Sequence, residues 1–191
     1  GFFFFQKVYP TIYFALTDVE MVLMFLRLDS ASTDYVIQEY DLEERQASGE
    51  KYASQFINKK IQLRYHPLNT TVLTDEKWLL FVLEQVLSNA LKYTPSGSVA
   101  IDLESPKTLC IRDTGIGIAP EDLPRVFEKG YTGYNGRSDK KASGIGLYLC
   151  RRICRNLGHT ITANFFVGKR YSNPHSTGAK KKVEFENYLR K

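Results

Sequence analysis

Apolar positions recur at helical spacing in some stretches of the chain and alternate with polar ones in others. Val19, Val22, Leu23, Phe25, Leu26 and Leu28 read as the last turns of a strongly apolar helix, halted by the turn formers Asp29-Ser-Ala-Ser-Thr. Residues 35–42 alternate as a strand does, and residues 43–60 place Tyr52, Phe56 and Ile57 on one side of a helix. Ile61-Gln-Leu-Arg-Tyr and Thr71-Val-Leu predict two strands around a Pro67-Leu-Asn turn. Asp75 is placed to cap a helix over residues 76–93, which Pro95-Ser-Gly ends.

Two further strands follow at residues 98–103 and 108–112, then a polar, glycine-bearing stretch without apolar period. Residues 146–156 predict a helix stopped by Gly158, and residues 159–166 a strand. Residues 168–182, rich in Gly, Ser, Asn, Pro and Lys, predict a loop before a closing strand that starts at Val183. Strands and helices alternate only loosely, with adjacent strand pairs. The pattern predicts an α/β two-layer sandwich, a mixed and mostly antiparallel sheet covered by helices on one face.

Composition narrows this only a little. With 191 residues and 43% hydrophobic content, the chain suits one compact domain with extensions. The net charge of +5 is concentrated in short runs such as Lys180-Lys-Lys and Arg151-Arg152, so it does not by itself imply nucleic acid, and a polyanionic small ligand accounts for part of it. Three cysteines, Cys110, Cys150 and Cys154, form no C-x-x-C pair and favour a reducing compartment, and Cys150 and Cys154, one helical turn apart, read as core packing. The apolar start is interrupted by Lys7, Pro10, Asp18, Glu20 and Arg27, leaving no uncharged run near the ~20 residues of a membrane span. A signal peptide is not expected either.

Three features carry chemistry. On the helix from Glu76, Gln85, Asn89 and Lys92 fall at i, i+4 and i+7, a stripe of two amides and an ammonium. Amide oxygens suit a magnesium ion that keeps most of its water, and a lysine one turn on neutralises phosphate; a solvated helix face is the plain alternative. Asp113 ends an apolar strand, where a carboxylate needs donors, and Gly115 and Gly117 clear side chains after it. Such a carboxylate accepts from the exocyclic amine of adenine, whereas guanine turns an acceptor toward it; an ordinary Asp-Gly turn explains the same residues less specifically. Gly144-Ile-Gly-Leu opens a helix, where backbone amides and the helix dipole bind phosphate, although G-x-G also occurs there for packing. Between the glycine clusters, Lys129, Arg137, Lys140 and Lys141 are candidates for a phosphate-contacting lid.

In chain order "EQVLSNALKYT", "DTGIGI", "VFEKG" and "ASGIGLYLC" resemble the boxes of the ATP-binding catalytic domain of bacterial sensor histidine kinases, in the wider group that includes gyrase, Hsp90 and MutL. "FEKGYTGYNGR" looks similar to the short kinases that answer cell-envelope stress and antimicrobial peptides. The resemblance implies a Bergerat ATP-binding fold with ATP and Mg2+ as ligands. Asn89 then holds the magnesium with Gln85, Lys92 contacts phosphate, Tyr93 lies against the nucleotide, and Asp113 reads adenine. It further implies that Gly115, Gly117 and Ile118 shape the base pocket. Phe127 anchors the lid, Lys129 lies on it, and Ser143, Gly144, Ile145, Gly146 and Leu147 line the phosphates.

The hydrolases of the group resemble E-x-x-x-N in the first box; here Gln85 takes the place of the glutamate and lacks its basic lone pair, and Glu84 is turned about 100° away. Hydrolysis is therefore disfavoured relative to kinase chemistry. Kinases of this family phosphorylate a histidine in an H-E-x-x-x-P-like box on a helical hairpin, and His66, His159 and His175 lie in no such box. The expected organisation is an amino-terminal segment, residues 1–30, ending in the remnant of that hairpin, then an ATP-binding domain over residues 31–191. Such a chain binds Mg-ATP without phosphorylating itself. The implied partners are the hairpin and a response regulator, within a homodimeric, membrane-associated parent whose catalytic domain is cytoplasmic.

Overall fold

A computed structural model describes residues 19, 21–29, 35–43, 50–133, 143–168 and 176–185. The chain divides into two units, residues 1–34 and 35–191. In the first, residues 21–29 are helical and expose Val22, Leu23 and Leu26. Among the described residues no helix is long and apolar enough to cross a membrane.

Among its described residues the second unit contains two sheets. Strand β1 (Gln38–Asp41) pairs antiparallel with β3 (Thr71–Thr74) in a small one. The main sheet has five strands in the order β2-β4-β5-β7-β6: β2 (Ile61–Tyr65), β4 (Gly97–Ser105), β5 (Thr108–Asp113), β6 (Thr160–Gly168) and β7 (Ser176–Glu184). Only β2 and β4 run parallel; the other pairs are antiparallel. The mixed, mostly antiparallel sheet expected from the sequence is therefore present. The Pro67 turn, however, joins strands of different sheets: β2 and β3 do not pair with each other.

Helix α1 (Glu50–Lys59) packs on β2, α2 (Glu76–Tyr93) on β5 and α3 (Gly146–Asn156) on β6, with α2 and α3 against each other. Register aligns Val99 with Asp113, and Leu109 with Val183, so that these buried residues share the face on which α2 rests. Trp78, Leu79, Phe81, Val82, Val86, Ala90 and Leu91 form the buried stripe of α2. Burial of each large aliphatic side chain here stabilises the fold by about 1.5–3 kcal/mol. Asp75 caps α2, accepting from Trp78 N at 3.2 Å through Oδ1, while its Oδ2 accepts from Val36 N at 2.8 Å. One carboxylate thus starts the helix and ties down the chain before β1.

Cys150 and Cys154 are buried in this core, and burial pushes the Cys154 thiol up to about 12, consistent with packing rather than reactivity.

Two elements differ from the sequence reading. Residues 42 and 43 form a bend and α1 is helical from Glu50, while residues 44–49 lie outside the described set. More consequentially, β7 begins at Ser176, inside the stretch expected to be a loop, and pairs with β5 and β6 on its two sides. The sequence reading places the lysine run in that loop, yet every lysine in it is compensated. Lys180 and Lys182 both reach Glu104 on the outer face of the sheet, and Lys181 turns inward to Asp113. A central strand is thereby built from residues whose charge disguises it.

Candidate nucleotide-binding site

The site collects at the carboxyl end of β5 and the ends of α2 and α3. Gln85 and Asn89 are half-buried on α2 and Lys92 is exposed. Neither amide side chain is engaged in a hydrogen bond among the described residues, so the oxygens of both remain available. Lys92 Nζ lies 5.2 Å from the ring centroid of Tyr93.

The end of α2 is joined to the first glycine cluster through the backbone. Ile116 N donates to the Tyr93 carbonyl at 3.0 Å. A Cβ added to Gly115 would lie 2.1 Å from that same oxygen, so only glycine permits the approach. Thr94 Oγ1 is buried at this junction without a hydrogen-bond partner among the described residues. Gly117 has φ 74, in the left-handed region that its lack of Cβ makes accessible. Ile116 is exposed, while Ile118 is half-buried.

Asp113 is 1% exposed. Its Oδ1 accepts from Gly115 N at 3.1 Å and from Ala179 N at 3.4 Å, and its Oδ2 from Lys181 Nζ at 3.3 Å. The donors that a buried carboxylate requires are thus two backbone amides and an ammonium. Sequence reasoning found Asp113 and missed Lys181, because the latter sat in the presumed loop. The available signal was its two-residue spacing from Ala179 and Val183, which puts all three on one strand face.

The second cluster is held against the first half of the intervening stretch. Gly130 N donates to the Gly144 carbonyl at 3.0 Å, and Gly144 has φ 66. A Cβ there would lie 2.5 Å from the Gly130 carbonyl carbon. Ile145 N approaches Ser143 Oγ at 3.4 Å, and α3 opens at Gly146 with Leu147 half-buried in its first turn. Phe127 is buried, with the Arg151 guanidinium 5.8 Å from its ring centroid. Lys129 is exposed; Arg137, Lys140 and Lys141 lie outside the described residues.

Tyr93, Asp113 and Gly115 therefore come together as one unit, and Gly130 and Gly144 as another. Gln85 and Asn89 lie on the same helix that delivers Tyr93. Residues 74–190 match the family model described as histidine kinase-, DNA gyrase B-, and HSP90-like ATPase. The chain belongs to this family. As a member of it, the second unit is an ATP-binding domain of the kind found in sensor histidine kinases.

Its relatives include the sensor protein BceS of Halalkalibacterium halodurans, 45% identical over 103 residues, which is 52% of this chain and 31% of that protein. Sensor histidine kinase YxdK of Bacillus subtilis is 35% identical over 161 residues, 79% of this chain and 49% of that protein. The chain thus spans less than half the length of either. Among solved structures, full-length ShkA in complex with AMPPNP superposes with a TM-score of 0.71 at 25% identity, over 90% of this chain and 35% of that one.

Proposed function

We propose that this histidine kinase-like ATPase domain positions Mg-ATP for in-line phosphoryl transfer to a histidine carried on a helical hairpin outside it. The observation that carries this reading is the seating of Asp113: a nearly inaccessible carboxylate at a strand end, with the Gly115 backbone pressed on the Tyr93 carbonyl beside it. That arrangement suits reading of a base edge by Asp113, with Gly115, Gly117 and Ile118 shaping the pocket and Tyr93 against the nucleotide. Gly144 and the amides at the start of α3 then face the phosphates, with Ser143, Ile145, Gly146 and Leu147 around them. Lys92 and Lys129 supply positive charge, and Phe127 anchors the segment between the glycine clusters.

Asn89 and Gln85 fit magnesium, since both present a hard amide oxygen that is not engaged among the described residues. The ion neutralises charge on the phosphates when bound. The chain's own contribution is orientation: Asn89 and Lys92 fix the phosphates from one helix, and the turn at Gly144 from the other. Gln85 lacks the basicity to activate water, which favours a kinase over a hydrolase.

His66, His159 and His175 lie outside any acceptor-like box, so the phosphorylated histidine belongs to the hairpin and the phosphate passes from there to a response regulator. The parent is a homodimeric, membrane-associated sensor with this domain in the cytoplasm. Its stimulus class follows the resemblance of the Phe127 stretch, envelope stress or antimicrobial peptides.

Mixing the chain with a separately made histidine hairpin and γ-labelled ATP tests the reaction. Acid-labile label on the hairpin is expected. Tight ATP binding without any phosphohistidine would favour a regulatory module, and steady phosphate release without the hairpin would favour a hydrolase.

A further inference from the structure

The ammonium that Lys181 brings to Asp113 changes what the base pocket presents. Lys181 lies opposite Ile111 in the β5–β7 register and Ala179 opposite Asp113, so all four share the helix-covered face. The Lys181 side chain is 5% exposed and that of Asp113 1%. Charge compensation alone accounts for part of this, because a buried carboxylate is unstable without donors. Yet Oδ1 already accepts from two backbone amides, and the ammonium is added at Oδ2. Of the three N–H donors of an ammonium, one reaches Asp113, and no second acceptor for Lys181 is found among the described residues. Donor and acceptor capacity therefore stand side by side, both buried, at the strand end.

We infer that Lys181 is a specificity-determining residue which, with Asp113, makes the pocket complementary to both 6-amino and 6-oxo purine nucleotides. The inference rests on the base-reading role of Asp113 proposed above. A carboxylate alone matches adenine, whose 6-amino group donates, and opposes guanine or hypoxanthine, whose O6 accepts. With an ammonium beside the carboxylate, O6 accepts from Lys181 while the protonated N1 of the oxo-purine donates to Asp113. Adenine retains its own match: its amine donates to Asp113 and its unprotonated N1 accepts from Lys181. The same two side chains thus satisfy both base edges, with the roles of donor and acceptor exchanged.

Displacement of a ribose-labelled fluorescent ATP from the full chain by ATP, ITP, GTP and inorganic tripolyphosphate tests this. Inosine is the cleaner oxo-purine, since it lacks the 2-amino group that adds bulk in guanosine. The parent chain is expected to bind ITP within about tenfold of ATP, against the ~10–100-fold penalty of an unmatched buried carboxylate. Lys181→Met is expected to widen the ATP preference over ITP by at least about tenfold. Lys181→Gln, which keeps an N–H donor for the Asp113 carboxylate where methionine offers none, should fall between the two.

A parent that rejects ITP by more than about tenfold overturns the inference without any variant being needed, as does a Lys181→Met or Lys181→Gln chain with an unchanged ratio. These results leave ATP binding intact. If inorganic tripolyphosphate, which carries no base, displaces the probe as well as ATP and ITP do, the base is not read at all, and the role of Asp113 falls together with that of Lys181.

Discussion

Gly130 and Gly144 are joined by one backbone hydrogen bond of 3.0 Å, which holds the second glycine cluster against the middle of the segment that links it to the first. The contact needs glycine, since Gly144 has φ 66 and a Cβ there would meet the Gly130 carbonyl carbon at 2.5 Å. Gly144→Ala should therefore lose about 1–3 kcal/mol of stability from the left-handed backbone. It should also weaken ATP binding by more than the melting shift explains, because the turn feeding α3 moves. Parallel thermal melts and nucleotide titrations read both effects.

Gly115→Ala attacks a different junction. Its methyl group would be driven into the Tyr93 carbonyl oxygen, 2.1 Å away, in a place bounded by backbone rather than by a flexible side chain. Overpacking of this kind typically costs about 1–3 kcal/mol. Urea unfolding should show a lower midpoint with an unchanged slope, and Ile116 N should lose protection from hydrogen exchange as its bond to Tyr93 lengthens.

The elements that carry the candidate site were legible in the sequence because their signals are local. Asp75 and Pro95 bracket α2, the stripe of Gln85, Asn89 and Lys92 follows from helical period, and the glycines mark where the backbone turns sharply. What stayed hidden depends on long-range pairing. The lysines of β7 look like a solvated loop until Glu104 and Asp113 are seen opposite them. Likewise, nothing local says that β2 leaves β3 and runs parallel to β4 across a long sequence separation.

Glu104 gives the outer face of the sheet a pH signature. Hydrogen bonds from Lys180 and Lys182 hold its carboxyl down at about 2, against 4.5 for the unperturbed group. A depressed folded pKa means that this stabilisation is complete above about 4.5 and is lost as pH falls toward about 2. Because Glu104 is partly exposed, solvent screening keeps the effect within about 1 kcal/mol. Urea midpoints measured at pH 6 and pH 3 should differ less in Glu104→Gln than in the parent, and added salt should shrink the difference.

Asn89→Ala removes an amide oxygen from α2 without touching the packed stripe formed by Val82, Val86 and Ala90. Stability should change by no more than about 0.5 kcal/mol, as for surface substitutions generally. The magnesium-dependent part of ATP affinity should fall by tenfold or more, while binding measured in chelator should hardly move. Titrations with and without magnesium separate the two.

The most direct test is titration of a fluorescent ATP analogue against the parent chain and Asp113→Asn. Both proteins should first be shown to be folded, since the substitution leaves Lys181 buried without its counter-charge and is expected to cost about 3–5 kcal/mol. The parent should bind saturably, and folded Asp113→Asn should bind at least about tenfold more weakly, because its amide no longer offers two accepting oxygens to the base and its neighbours. Unchanged affinity in a folded Asp113→Asn chain would contradict the account.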